Sequence, residues 1–254
     1  MTRVGLFDRF KAKKPESSSP PKSATPTIDF DALRPELKGL IKPTWKPVVA
    51  EGEGAAGDSR FGGAPGVVGG EPWPACGTCG TPLSFFLQMN LGACPGGFET
   101  GLLQLFYCLG EDCELSFGPG AKNQLLRIVD PAAVARPASV PHKELFPARR
   151  VTGWKERREL PNEEELRDLG VELTKDEEKM LECVPYAGDK LGGWPAWVQG
   201  VEYPSCPTCS QSMRLVFQLD SDDNVPHMWG DVGCGHITQC PDHRDVLAYG
   251  WACC

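Results

Sequence analysis

Residues 73–91 read WPACGTCGTPLSFFLQMNL, and residues 203–221 read YPSCPTCSQSMRLVFQLDS. Both carry a Pro-x-Cys-x-Thr-Cys core, Pro74 to Cys79 and Pro204 to Cys209, and both place a glutamine in the same register, Gln88 and Gln218. Cys206 lies 130 positions after Cys76, and at that single offset residues 61–88 align without gaps onto residues 191–218. Gly62 and Gly63 match Gly192 and Gly193, Pro65 matches Pro195, and Gly70 matches Gly200. Further on, GLLQLFYC ending at Cys108 pairs with GCGHITQC ending at Cys240. A fixed long offset predicts duplication of one structural unit.

Each unit has its own mechanical logic. The residues after the first cysteine pair, PLSFFLQM and MRLVFQL, are apolar and strand-like, and so are LLQLFY and HITQ ahead of the second pair. Two strands joined by a turn bring the start of the first beside the end of the second, so Cys79 and Cys108 become neighbours across 29 positions. The first unit then offers Cys76, Cys79, Cys108 and Cys113, and the second offers Cys206, Cys209, Cys240 and His243. Their C-x2-C, C-x4-C and C-x2-H spacings suit tetrahedral zinc, and four protein ligands leave no open position for a reacting water. Two structural zinc ions are expected. A redox reading of C-x-x-C would need a helix N-terminus at the first thiol, whereas strands follow both pairs. Cys94, Cys183, Cys234, Cys253 and Cys254 read as small apolar side chains, with Cys234 and His236 as substitutes should His243 not serve.

With 34 acidic against 26 basic side chains the net charge is −8, which lacks the electrostatic footprint of a nucleic-acid binder. No apolar run reaches the ~18 residues of a membrane span, and no secretory signal stands at the start. A cytoplasmic chain follows, and in that reducing compartment clustered cysteines among the 12 point to metal before disulfides. The organisation reads as a basic, Pro- and Ser-rich disordered tail over 1–28, then a helical segment and flexible linker over 29–60. A first zinc-binding repeat covers 61–140, a charged helical connector 141–190 and a second zinc-binding repeat 191–254. Within the early part, DFDALRPELKGLI predicts a helix packing Leu33, Leu37 and Leu40. Within the connector, Asn162 as an N-cap and Thr174 with Glu177 as a capping box predict two short helices. The fold class expected is β-rich α+β, with internally duplicated hairpin units each clamped by a zinc-knuckle-like site.

KLGGWPAWVQG, LVFQLDSDDNVPHMWGDVGCGHITQCP and VLAYGWACC resemble the YwqG-like family of bacterial proteins of unknown function, over roughly residues 60–254. CGTCGTPLSFFLQ followed by GLLQLFYCLGEDC is similar to the zinc-binding repeat of the programmed cell death 2 family. That second resemblance implies chaperoning of a ribosomal protein. Many YwqG-like proteins lack the cysteine quartets, so the metal rests on spacing in this chain.

Trp194 and Trp197 in GGWPAW suit a groove gripping a protein or extended peptide, against the alternative that both pack under the sheet. Asp220, Asp222, Asn224 and Asp231 follow an EF-hand-like spacing, but Val225 stands where such a loop needs glycine. His227 near Asp231 is the best acid/base pair on offer, and no phosphate loop or nucleophile elbow accompanies it. The function expected is therefore a cytoplasmic protein-binding module of chaperone type and not an enzyme. An antitoxin or immunity-type inhibitor is the alternative, with a hydrolytic or redox enzyme behind both.

Overall fold

The computed structural model describes residues 28–142, 145–182 and 184–253. The tail expected over 1–28 lies outside the described residues except for Ile28, as do Cys183 and Cys254.

Twelve strands run in chain order: β1 (Lys42–Glu51), β2 (Arg60–Phe61), β3 (Val67–Val68), β4 (Ser84–Asn90), β5 (Leu102–Tyr107) and β6 (Gln124–Val129), then β7 (Val134–Ala135), β8 (Arg149–Glu159), β9 (Lys190–Gly192), β10 (Arg214–Asp220), β11 (Cys234–Gln239) and β12 (Leu247–Ala252). Three short helices accompany them, α1 (Pro35–Lys38), α2 (Glu163–Asp168) and α3 (Lys175–Leu181). Ten of the strands form one antiparallel sheet in the order β12-β11-β10-β9-β1-β8-β2-β4-β5-β6, and β3 pairs with β7 apart from it. Counted outward from the β1–β8 pair, each flank has a short strand, a seven-residue strand and two six-residue strands.

The sheet curls until its two edges approach. The Tyr249 carbonyl on β12 accepts from Gln124 Nε2 at the start of β6 (3.1 Å) and from the Gly118 N–H (3.1 Å). Inside the curl, Phe61, Leu87, Met89, Leu103 and Leu105 from one flank meet Leu191, Phe217, Leu219, Ile237 and Tyr249 from the other in one apolar cluster. Alternation along β4, β5, β10 and β11 sends these residues inward and the next ones to the opposite face.

A polar device holds each flank. Gln88 and Gln218 are fully buried. Gln88 Oε1 accepts from Gly66 N (2.8 Å) while Nε2 donates to the Ala56 and Asp58 carbonyls (2.7 Å each). Gln218 Oε1 accepts from Ala196 N (2.8 Å) while Nε2 donates to the carbonyls of Tyr186 (3.3 Å) and Gly188 (2.9 Å). Every partner in the second set stands 130 positions after its counterpart in the first. At the centre, the Lys190 ammonium reaches both Glu159 oxygens (2.9 and 3.0 Å) and the Trp194 carbonyl (2.6 Å), so this buried ion pair between β8 and β9 is fully hydrogen-bonded.

Several sequence expectations change here. The segment around Leu33 and Leu37 forms only the single turn α1, but both leucines are buried, with Leu40 packed against their cluster. Asn162 and Thr174 cap α2 and α3 as their side chains predict, the latter as a capping box. Residues 149–159, inside the segment expected to be a charged helical connector, are instead the longest strand. β1 likewise occupies a stretch that carried no strand expectation. No helix among the described residues is long and apolar enough to cross a membrane.

Candidate metal centres

At the mouth of the β4–β5 hairpin the chain turns through residues 76–81. Cys76 N–H donates to the Thr81 carbonyl (2.8 Å) and Gly80 N–H to the Cys76 carbonyl (2.9 Å). The β10–β11 hairpin repeats this knuckle: Cys206 N–H donates to Gln211 O (2.9 Å) and Ser210 N–H to Cys206 O (2.8 Å). A one-pair bridge seals each loop, Ala75 with Pro82 and Ser205 with Ser212. These turns bring C-x2-C side chains to one point because a tight loop with a left-handed residue at its end returns the second cysteine toward the first. That residue is Gly80 (φ 77°) in one knuckle and Ser210 (φ 62°) in the other.

The donor atoms of Cys76, Cys79, Cys108 and Cys113 lie within 4.8 Å of one another, and so do those of Cys206, Cys209, Cys240 and His243. All eight residues read from the sequence thus converge in two quartets. The Cys76–Cys113 and Cys79–Cys108 sulfurs are 3.5 Å apart, and Cys209–Cys240 are 3.6 Å apart. His243 Nδ1 stands 3.8 Å from Cys206 Sγ and 3.6 Å from Cys240 Sγ. Disulfide sulfurs would be ~2.05 Å apart, whereas thiolates around a tetrahedral ion with ~2.3 Å bonds sit ~3.8 Å apart. The spacing fits a shared ion.

The chemistry of the donors agrees. Backbone N–H groups point at sulfur in both quartets, Thr78 to Cys76 (3.4 Å), Gly110 to Cys108 (3.4 Å), Thr208 to Cys206 (3.4 Å) and His243 to Cys240 (3.3 Å). Such donors favour the ionised sulfur. The Thr81 hydroxyl, 3.3 Å from Cys79 Sγ, leads the groups that hold that thiol down to about 6. At Cys206 burial pushes the other way, but the N–H groups of Cys209 and Thr208 and the neighbouring sulfurs bring it to about 6. The partners pay electrostatically. Burial first, and the three neighbouring sulfurs next, push Cys113 far up, and at Cys209 the Gln211 N–H is outweighed by burial and adjacent sulfurs, giving about 11. Four donors this close cannot all ionise against one another, and a multivalent cation removes that conflict. The sequence named the ligands but not these supporting N–H groups. Their one legible trace is the threonine shared by C-G-T-C and C-P-T-C.

Cys234 is buried on β11 with its thiol toward the Leu219 carbonyl (3.7 Å), Cys94 is half-buried and pushed up to about 12 by burial, and neither joins a quartet. With His243 in place, His236 stays on the sheet as part of the row described below. Trp194 is buried, 7% exposed, donates Nε1–H to the Leu40 carbonyl (2.8 Å) and carries the Lys42 ammonium 3.1 Å over its ring centre. It walls a cleft with Trp45, Phe98 and Tyr203. Trp197 is half-buried and lines a separate cleft. Of the EF-hand-like residues, Asp220 accepts from Gly188 N (2.6 Å) and Asn224 Nδ2 donates to the Asp189 carboxylate (2.8 Å), and none of the four belongs to a metal-ligating group among the described residues. The His227 ring stacks edge-on against Phe86 and Trp229, where burial lowers its pKa.

A family model described as a domain of unknown function (DUF1963) matches residues 59–241, more than half of the chain and all of the quartet cysteines. The chain is also similar to the uncharacterised protein YpfL of Salmonella typhimurium (strain LT2), 50% identical over 40 residues, 16% of this chain and 9% of that protein. The shared stretch is thus a small part of YpfL's length.

Proposed function

Since the chain belongs to the DUF1963 family, we propose a role from its geometry: a cytoplasmic, zinc-stabilised protein-binding module of chaperone type, built by duplication of one knuckle-and-hairpin unit. One observation carries this reading. Two four-donor quartets close the mouths of two hairpins that share the same loop hydrogen bonds. Zinc is the ion these donors suit best, because four thiolates, or three with an imidazole, match its softness and tetrahedral preference. A closed shell holds loops together and leaves no position for a reacting water.

The matched partners of Gln88 and Gln218 support duplication, since unrelated units would have no reason to pin the same three backbone groups. The likeness of the first unit to the programmed cell death 2 repeat supports a binding role, and the likeness to YwqG-like proteins bears on the fold alone. The edge-on packing of His227 against Phe86 and Trp229 favours a structural part for that ring over an acid/base one.

Elemental analysis of reduced, chelator-free protein is expected to give two zinc ions per chain; a reproducible content near zero would overturn the reading. Affinity capture from native lysate separates the roles: a ribosomal protein supports the chaperone, a toxin replaces it with the inhibitor, and turnover of a metabolite panel replaces both with an enzyme.

A further inference from the structure

One row of residues crosses each flank of the sheet on the face away from the curled core. In the first flank the ladder aligns Gln88, Gln104 and Arg127 on β4, β5 and β6; in the second it aligns Gln218, His236 and Gly250 on β10, β11 and β12. The first row is complete. Arg127 Nε donates to Gln104 Oε1 (3.0 Å), its two terminal nitrogens grip the Glu71 carboxylate (2.7 and 2.6 Å), and the guanidinium lies 5.9 Å from the centre of the Phe106 ring.

The second row keeps the acceptor and lacks the guanidinium. Gly250 stands where Arg127 would, and Thr238, two residues before Cys240, stands where Phe106 precedes Cys108 by the same step. The smaller side chains leave a cleft lined by Trp197, Trp251, Phe117 and Glu202. His236 and Thr238 also line it; they are 7% and 1% exposed, and His236 Nε2 and Thr238 Oγ1 have no hydrogen-bond partner. Unpaired buried polar atoms are destabilising, so two facing one cavity call for a ligand. The imidazole is neutral, since burial and then the Lys190 charge pull it down to about 3 against the opposing pull of the Ala196 backbone. In the tautomer that carries its proton on Nδ1, Nε2 is an acceptor awaiting a donor. Glycine is not forced at 250 by the backbone: its φ is outside the left-handed region, and a Cβ there would come no nearer than 3.4 Å to Phe117.

We propose that this cleft binds a guanidinium group brought from outside, an arginine side chain either free or displayed on a polypeptide. A planar cation with several N–H donors satisfies His236 and Thr238 together, stacks on the Trp197 and Trp251 rings and meets Glu202 at the rim. It takes the place that Arg127 fills in the first flank. The polypeptide source rests on the protein-binding reading above; the pocket does not.

Isothermal titration with Nα-acetyl-arginine amide, its citrulline counterpart and a Gly-Gly-Arg-Gly-Gly peptide tests this. The arginine amide is expected to bind about tenfold or more tightly than the neutral citrulline amide. Gly250→Arg, which supplies the guanidinium from within, and His236→Phe, which removes the acceptor but keeps the ring, are each expected to weaken binding about tenfold or more. Unchanged melting and zinc content will show that both variants are folded, and should Gly250→Arg not fold, His236→Phe decides alone. Equal affinity for citrulline, no binding of either arginine probe, or unchanged affinity in the folded variants would overturn the site. Tighter binding of the peptide supports arginine on a polypeptide. Binding of the amide alone keeps the guanidinium site and removes its support from the protein-binding reading.

Discussion

Position 80 and position 210 close equivalent turns with different side chains. Gly80 takes its left-handed φ of 77° without strain, whereas Ser210 takes 62° against a clash between its Cβ and the backbone. Ser210→Gly is therefore expected to stabilise the second knuckle by ~0.5–1 kcal/mol, visible as a higher denaturation midpoint in the zinc-loaded protein. A second single residue sets a pH dependence. Asp189 is fully buried, and burial, then the nearby Asp223 carboxylate, raise its pKa to about 7 although Asp220 and Asn224 N–H groups donate to it. Its folded pKa lies above the unfolded value near ~3.9, so folding takes up a proton between the two. The contribution of Asp189 is present in full below ~4 and is lost as pH rises through about 7. Urea midpoints of wild type and Asp189→Asn from pH 5 to pH 8 check this. The variant, which offers an N–H₂ where backbone donors expect oxygen, is expected to be weaker throughout but to lack the decline; an identical slope would refute the assignment.

Among the elements, β4 and β10 owe their position to the buried amides on them as much as to their apolar faces. Gln88→Ala and Gln218→Ala each orphan one N–H and two carbonyls under the sheet. A loss of ~2–4 kcal/mol is expected from each, and chemical denaturation measures it; a loss under ~0.5 kcal/mol would mean that water replaces the amide. These elements were legible because 130-residue identity and apolar alternation coincide in them. β1 and β8 were not. β1, KPTWKPVVAE, carries Pro43 and Pro47, and proline speaks against a central strand. The short β9 pairs with β1 only at Thr44 and Trp45, which leaves that side of β1 without a ladder partner at either proline. β8, RRVTGWKERRE, looks like a solvated charged run, and its exposed side chains are consistent with that; its backbone is nonetheless paired along its length with β1. The metal quartets were legible from spacing alone, since cysteine and histidine have few other reasons to recur at hairpin mouths. The guanidinium-shaped cleft was not, because it depends on which residues share a row across three strands.

The whole molecule is interlaced at its centre. β1 precedes the first knuckle in the chain but pairs with β9 of the second flank, while β8 precedes the second knuckle but pairs with β2 of the first. Each flank thus borrows its innermost partner strand from the other's leader, and the apolar cluster within the curl is filled from both. A chain joined in this way has no complete half to fall back on when one quartet is broken. Cys206→Ser removes one ligand of the second quartet, whose sulfurs and imidazole tie the start of β10 to the end of β11. The loss is expected to be roughly 3 kcal/mol or more, which corresponds to ~10 °C in a domain of this size. Calorimetry should show a single transition at the lower temperature, with about one zinc retained by elemental analysis, because unravelling β9 to β12 also strips β1 of its ladder at Thr44 and Trp45 and opens the shared core. Two separated transitions, the upper one near the wild-type midpoint, would mean that the first flank stands without the second and that the exchange of β1 and β8 contributes little to cooperativity.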